Sequence, residues 1–105
     1  MDSALALGFG RNLGRQRRLA DLSQQELGDL TGLHRMDIGA IERGERLPRI
    51  DTILKVSAGV EASPCELMAG LRWHPGRQVQ IEGEFRVEDH PPSSSAAGER
   101  EAGMA

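Results

Sequence analysis

Arginine carries nearly all the positive charge of this chain: of 13 basic residues, only Lys55 is lysine. Four of these arginines, Arg35, Arg43, Arg46 and Arg49, fall close together between positions 35 and 49. A guanidinium presents a rigid fork of donors that matches a phosphate, a carboxylate or the O6/N7 edge of guanine bidentately. Gln24 and His34 stand at the starts of two helical patterns, where free backbone N–H groups and the helix dipole favour an anion. This chemistry is recognition of anions and base edges, not bond-making. The other chemistries lack their parts. Cys65 is the single cysteine, so neither a disulfide framework nor a thiolate zinc site is available. There is no glycine-rich phosphate loop and no plausible triad. The chain is therefore expected to be no enzyme and to need no cofactor or metal.

These residues need elements to hold them, and the stretch from Ser23 to Gly44 supplies two. Ser23 with Glu26 has the S-x-x-E spacing of a capping box. A helix from Gln24 follows, with Leu27 and Leu30 on one face and Gly32 as its stop. A second helix carries Ile38 and Ile41 inward, with Leu33 in the corner and Gly44 at its end. Two short amphipathic helices joined by a glycine-containing turn form a helix-turn-helix, whose second helix can enter the major groove. With Ile38 and Ile41 inside, His34, Arg35, Met36 and Ala40 fall on the outer side. Arg35, near the helix start, is the candidate guanine reader, and Met36 and Ala40 are candidates for thymine methyl groups.

Upstream, Leu5, Phe9 and Leu13 describe the inner face of a helix that follows a frayed Met1 to Ala6. Gly8, Gly10 and Gly14 weaken it by up to about 1 kcal/mol each, so it must depend on packing. Arg11, Arg15, Arg17 and Arg18 fill its remainder, solvated or with one or two on phosphate. Downstream, Pro48 ends the second helical run, and Arg43, Arg46 and Arg49 are spaced as a phosphate clamp, with internal pairing to Glu42 or Glu45 as the competing use. Glu42 is expected to orient an arginine. Asp51 is expected to cap a fourth helix, in which Ile53, Leu54 and Ser57 to Ala58 pack inward and Gly59 is the stop. Ser63, Pro64 and Glu66 start a fifth helix that runs to about Leu71, with Cys65 buried or half-buried.

The set S-Q-x-E-L at Ser23 to Leu27, Gly32, Ile38, I-E-R-G-E-R from Ile41 to Arg46, then Pro48, Asp51, Leu54, Val60, Ser63, Pro64 and Leu67 resembles the phage-repressor and Cro type of helix-turn-helix protein, also called the xenobiotic-response-element family. The resemblance covers roughly Leu5 to Leu71. It implies a mainly α, five-helix repressor-like domain, with Gln24, Arg43, Arg46 and Arg49 along the DNA backbone; from its own place at the helix start, His34 is expected as a cap or a phosphate contact. Two residues depart from the family. Gly39 stands inside the recognition helix where larger residues are usual, and Asp37 puts a negative charge where DNA would lie. Asp37 repels phosphate unless it accepts from a cytosine amino group.

The net charge of −3 argues against a nucleic-acid partner until it is divided. Met1 to Arg77 holds 11 basic and 10 acidic residues, a balance of +1, whereas Gln78 to Ala105 holds 2 and 6, a balance of −4. The acidity belongs to the tail. Val79 and Ile81, then Phe85 and Val87, alternate as strands around Gly83, and a three-residue loop at Glu82 to Glu84 sets Ile81 opposite Phe85 and Val79 opposite Val87. An isolated hairpin is marginal in water, so Trp73, Val79, Ile81, Phe85 and Val87 need the helical domain or a second subunit. The W-x-P-G spacing at Trp73, followed by G-x-F-x-V at Gly83, is similar to extensions of some actinobacterial family members. The expected organisation is a helix-turn-helix domain over 1–71, a short C-terminal β-hairpin extension over 72–89 that offers a dimerisation element, and a disordered tail over 90–105. The expected function is a sequence-specific regulator of transcription, a repressor, that binds double-stranded DNA at an inverted-repeat operator as a homodimer in the cytoplasm. A stand-alone repressor, an antitoxin or a restriction–modification controller would each fit. The alternative is a protein-interaction module or antitoxin on the same fold, with a toxin or other protein as partner and DNA binding secondary. No apolar run is long enough for a membrane.

Overall fold

The computed structural model describes residues 3–78 and 82–88. Five helices run in order, α1 (Ser3–Leu19), α2 (Gln24–Thr31), α3 (Arg35–Glu42), α4 (Ile50–Val60) and α5 (Pro64–Leu67), followed by strands β1 (Leu71–His74) and β2 (Glu84–Val87). The expected mainly α fold with a short hairpin is what forms. Phe9, Leu13, Leu27, Ile38, Ile41, Val56, Val60 and Leu67 make one core drawn from every helix. Each fully buried aliphatic side chain contributes about 1.5–3 kcal/mol.

Start and stop signals act where the sequence put them in α2. Ser23 accepts from the Glu26 N–H and Glu26 reaches back to the Ser23 N–H. Gly32 ends the helix at φ 78°, a left-handed conformation that a side chain would strain. The glycines of α1 also find their reason. A Cβ on Gly10 would come within 2.6 Å of the Glu42 carbonyl oxygen, and one on Gly8 would come within 2.7 Å of Val87. The bare backbone lets α3 and the hairpin press directly onto α1.

Several boundaries differ from expectation. Helix α1 begins at Ser3, inside the segment expected to fray. Helix α4 is capped by Arg49 without a side-chain hydrogen bond, while Asp51 lies one turn-position inside and accepts from the Thr52 N–H. Its stop is Glu61 at φ 60°, because Gly59 is needed within the helix, where a Cβ would come 2.6 Å from Leu27. Val56, Ser57 and Val60 are its buried residues, whereas Leu54 is 57% exposed and Leu30 of α2 is 63% exposed. Cys65 is exposed rather than buried, since it faces outward in a helix of one turn.

That short α5 also changes the hairpin. Helix α5 stops at Leu67, not near Leu71, because Asn12, buried in α1, donates from Nδ2 to the carbonyls of Leu67 and Ala69 at 2.9 Å each. These bonds satisfy acceptors that a helix end leaves open. The chain then turns at Gly70 and enters β1, which pairs antiparallel with β2 in the register Leu71↔Val87, Arg72↔Arg86, Trp73↔Phe85 and His74↔Glu84. Leu71 thus faces Val87 where Val79 was expected, and Trp73 faces Phe85 where Ile81 was expected. Val79 and Ile81 lie outside the described residues. The edge-to-face packing of Trp73 on Phe85, with centroids 4.9 Å apart, favours this partner.

Candidate nucleic-acid interface

Helix α3 is held by its core face, Ile38 and Ile41, and presents the opposite face outward. His34 caps it: Nδ1 accepts from the Met36 N–H at 3.1 Å, which leaves Nε2 as the outward donor. Arg35, the first helical residue, is exposed, and its side chain makes no hydrogen bond or ion pair with the described residues. Met36 is 66% exposed and Ala40 is half-buried beside it.

The start of α2 approaches α3 through Glu42. Arg17 donates to both Glu42 carboxylate oxygens, from Nε at 2.6 Å and Nη2 at 3.0 Å, and Nη1 donates to the Leu22 carbonyl. Gln24 Nε2 donates to Glu42 Oε1 at 3.0 Å. Glu42 does orient an arginine, but it is Arg17 of α1, outside the clamp. With side chains only 13% and 10% exposed, this pair is the most secluded ion pair among the described residues. Donating to the Glu42 carboxylate holds the Arg17 guanidinium still more firmly protonated than usual, against the opposing effect of burial.

Gly39 is not an open gap. The Arg43 guanidinium and the Gln24 amide close over it, 3.0 and 3.4 Å from where a Cβ would stand. Gln24, Arg35, Met36, Ala40, Arg43 and Arg46 therefore border one shallow concavity, with Asp37, Gly39 and Glu45 also on its wall. Arg49 stands apart, in a second concavity between α3 and α4 with Thr52 and Lys55. Each clamp arginine has a carboxylate partner: Arg43 with Glu45 at 2.7 Å, Arg46 with Asp37 at 2.9 Å, and Arg49 with Asp51 at 3.0 Å. Hydrogen bonds from Arg43 and Arg49 draw Glu45 and Asp51 below the usual carboxylate range, and the Glu45 bond raises Arg43. Sequence spacing suggested pairing with Glu42 or Glu45; it missed Asp51, only two residues from Arg49, and Asp37, which the folded loop brings to Arg46 from nine residues away.

The residues expected for an interface along the hairpin divide. Leu71, Trp73, Phe85 and Val87 share one face by strand alternation. The inner end of that face, Leu71 and Val87, rests against Gly8 of α1 in the same chain. The outer end projects, with Trp73 52% and Phe85 38% exposed. Among the described residues no cluster of three His, Cys, Asp or Glu could hold a metal ion, and no helix is long and apolar enough to cross a membrane.

Comparison with known proteins places this architecture. The helix-turn-helix family HTH_3 matches residues 13–67. The control protein C.SmaI of Serratia marcescens is 33% identical over 60 residues, which cover 57% of this chain and 71% of that protein. The restriction–modification controller protein C.AhdI of Aeromonas hydrophila is 37% identical with a TM-score of 0.57, over 59% of this chain and 94% of that one. The P22 c2 repressor in complex with a synthetic operator is 27% identical with a TM-score of 0.55, over 59% and 94%.

Proposed function

Because the chain belongs to the HTH_3 helix-turn-helix family, we propose that it regulates transcription as a repressor that binds an inverted-repeat operator as a homodimer. The observation that carries this reading is Arg35: a guanidinium without a partner among the described residues, on the first residue of α3 at the rim of a concavity bordered by Gln24, Arg43 and Arg46. In the major groove its fork takes O6 and N7 of guanine, while Met36 and Ala40 lie against neighbouring thymine methyl groups. Gln24 at the start of α2, the outward Nε2 of His34, and Arg43, Arg46 and Arg49 fix the docking through phosphate. The acidic tail explains how a DNA-binding chain carries a net charge of −3. The likeness to two control proteins, one of them a restriction–modification controller, supports a regulator of that kind acting in the cytoplasm.

Two copies would place their α3 helices in successive major grooves about 34 Å apart. The projecting Trp73 and Phe85 supply an apolar stripe that a second copy can cover. A protein other than a second copy could use the same stripe, the interaction-module reading, and that exposed pair is what favours it. Selection of bound duplexes from a random pool tests the principal reading. A short inverted repeat should be enriched, and Arg35→Ala should weaken its binding by about 1–3 kcal/mol while relaxing preference at one position of each half-site. If no sequence is enriched, or if the variant keeps the selectivity, Arg35 is not the reader.

A further inference from the structure

Charge on the arginine-bearing face nearly cancels. Arg35, Arg43, Arg46 and Arg49 stand against Asp37, Glu45 and Asp51, four against three, with Glu42 turned away to Arg17. The three pairs are not equivalent. Glu45 and Asp51 pair with arginines two residues away, on the loop and at the start of α4. Asp37 lies on α3 itself, two residues after Arg35, and reaches nine residues along the chain to Arg46. It is half-buried, and it lines the concavity that holds Arg35 as well as the one that holds Arg49.

A bidentate grip on phosphate needs Arg46 Nη2, the donor that Asp37 now holds, so Arg46 must leave Asp37 to make it. Once released, the Asp37 carboxylate stays on the groove-facing helix, beside DNA and without a donor. Most sequences leave it stranded there, and an unpaired charge in a desolvated contact is costly. A cytosine placed under Asp37 removes the penalty, since its N4 amino group donates to a carboxylate. We propose that Asp37 is a specificity-determining residue, a base-dependent release for Arg46 that permits the phosphate contact where Asp37 meets a cytosine amino group and opposes it elsewhere. This inference rests on the DNA-reading function above and adds discrimination by exclusion to the attraction supplied by Arg35.

Binding of the full chain to the selected duplex and to a scrambled duplex of equal length and composition, by fluorescence anisotropy at fixed salt, tests it. Asp37→Asn should bind the scrambled duplex more tightly and lower the selected-to-scrambled ratio about tenfold, the scale of one base contact. Repeated selection should show one position of each half-site losing its preference for cytosine. Glu45→Gln removes the same charge from a pair off the recognition helix, and should raise both affinities alike with the ratio unchanged. Asp37→Ser provides a second charge removal should the amide disturb the first turn of α3. Equal shifts for both duplexes with Asp37→Asn overturn the proposal, as does a Glu45→Gln variant that lowers the ratio as far. A wild-type chain that enriches no sequence overturns the DNA reading itself, and this inference with it.

Discussion

The residue with the most demanding surroundings is Glu42, which takes three hydrogen bonds from Arg17 and Gln24 in a nearly closed position. Exposed ion pairs contribute about 0–1 kcal/mol, whereas removing one partner of a secluded pair leaves a stranded charge and costs about 3–5 kcal/mol. Arg17 and Glu42 retain slight access to solvent, so about 3 kcal/mol is the expected loss for Glu42→Ala by urea denaturation. Asp51→Ala, which breaks the exposed pair with Arg49, should lose far less, because solvent screens that pair. Similar losses for the two variants would show that the secluded pair does not hold α1, α2 and α3 together. Glu42 was legible as an orienting residue, but Arg17 was not legible as its partner, since four arginines on α1 look alike until α1 crosses α3 at Gly10.

At the scale of elements, what could be read was what local chemistry specifies. Ser23, Glu26 and Gly32 set both ends of α2 through neighbours within three or four residues. The end of α5 could not be read, because Asn12 decides it from 55 residues away. β1 was hidden for a related reason: Leu71 to His74 alternates for four residues only, at the point where a helical pattern was still running. Outside the helices, β1 is tied to the chain beyond β2 by charge. Arg72 Nε donates to Glu88 Oε1 at 3.2 Å, and His74 Nε2 lies 3.4 Å from Oε2, within ion-pair range but outside hydrogen-bond geometry. Glu88 is held below the usual carboxylate range, first by the Arg72 hydrogen bond and then by the charges of Arg72 and His74. A depressed carboxylate contributes stability that is present above its unfolded value and is lost as pH falls through the folded one. The hairpin should therefore loosen as pH falls below the usual carboxylate range. Trp73 is the single tryptophan, so its emission reports this directly. The expected acid transition is absent or displaced in Glu88→Gln, and an identical transition in that variant would remove Glu88 from the account.

For the whole molecule, the open question of partners narrows to one end of one face. α1 already covers Leu71 and Val87, so a second copy need only extend the contact over Trp73 and Phe85. Phe85→Arg should convert a dimer to monomer in sedimentation and flatten cooperative binding to the two half-sites, while the helical core keeps its circular dichroism. A dimer that survives this substitution would place the subunit contact elsewhere, with the exposed Leu30 and Leu54 as the next surfaces to test. The fold class was legible because the helix signals are dense and local. The hairpin partner was not, because its choice depends on packing between the two ends of the chain.

That dependence sets a schedule for synthesis. Helix α1 precedes all its partners in the chain, yet its glycine-rich face is propensity-poor and depends on later elements, among them α3, the end of α5, and Leu71 and Val87 of the hairpin. At about 5–20 residues per second, a ribosome takes roughly 3–14 s to travel from Leu19 to Val87. Through that interval α3 lies against a helix whose other contacts are incomplete. The bare face of α1 therefore gains its full set of contacts only late in synthesis.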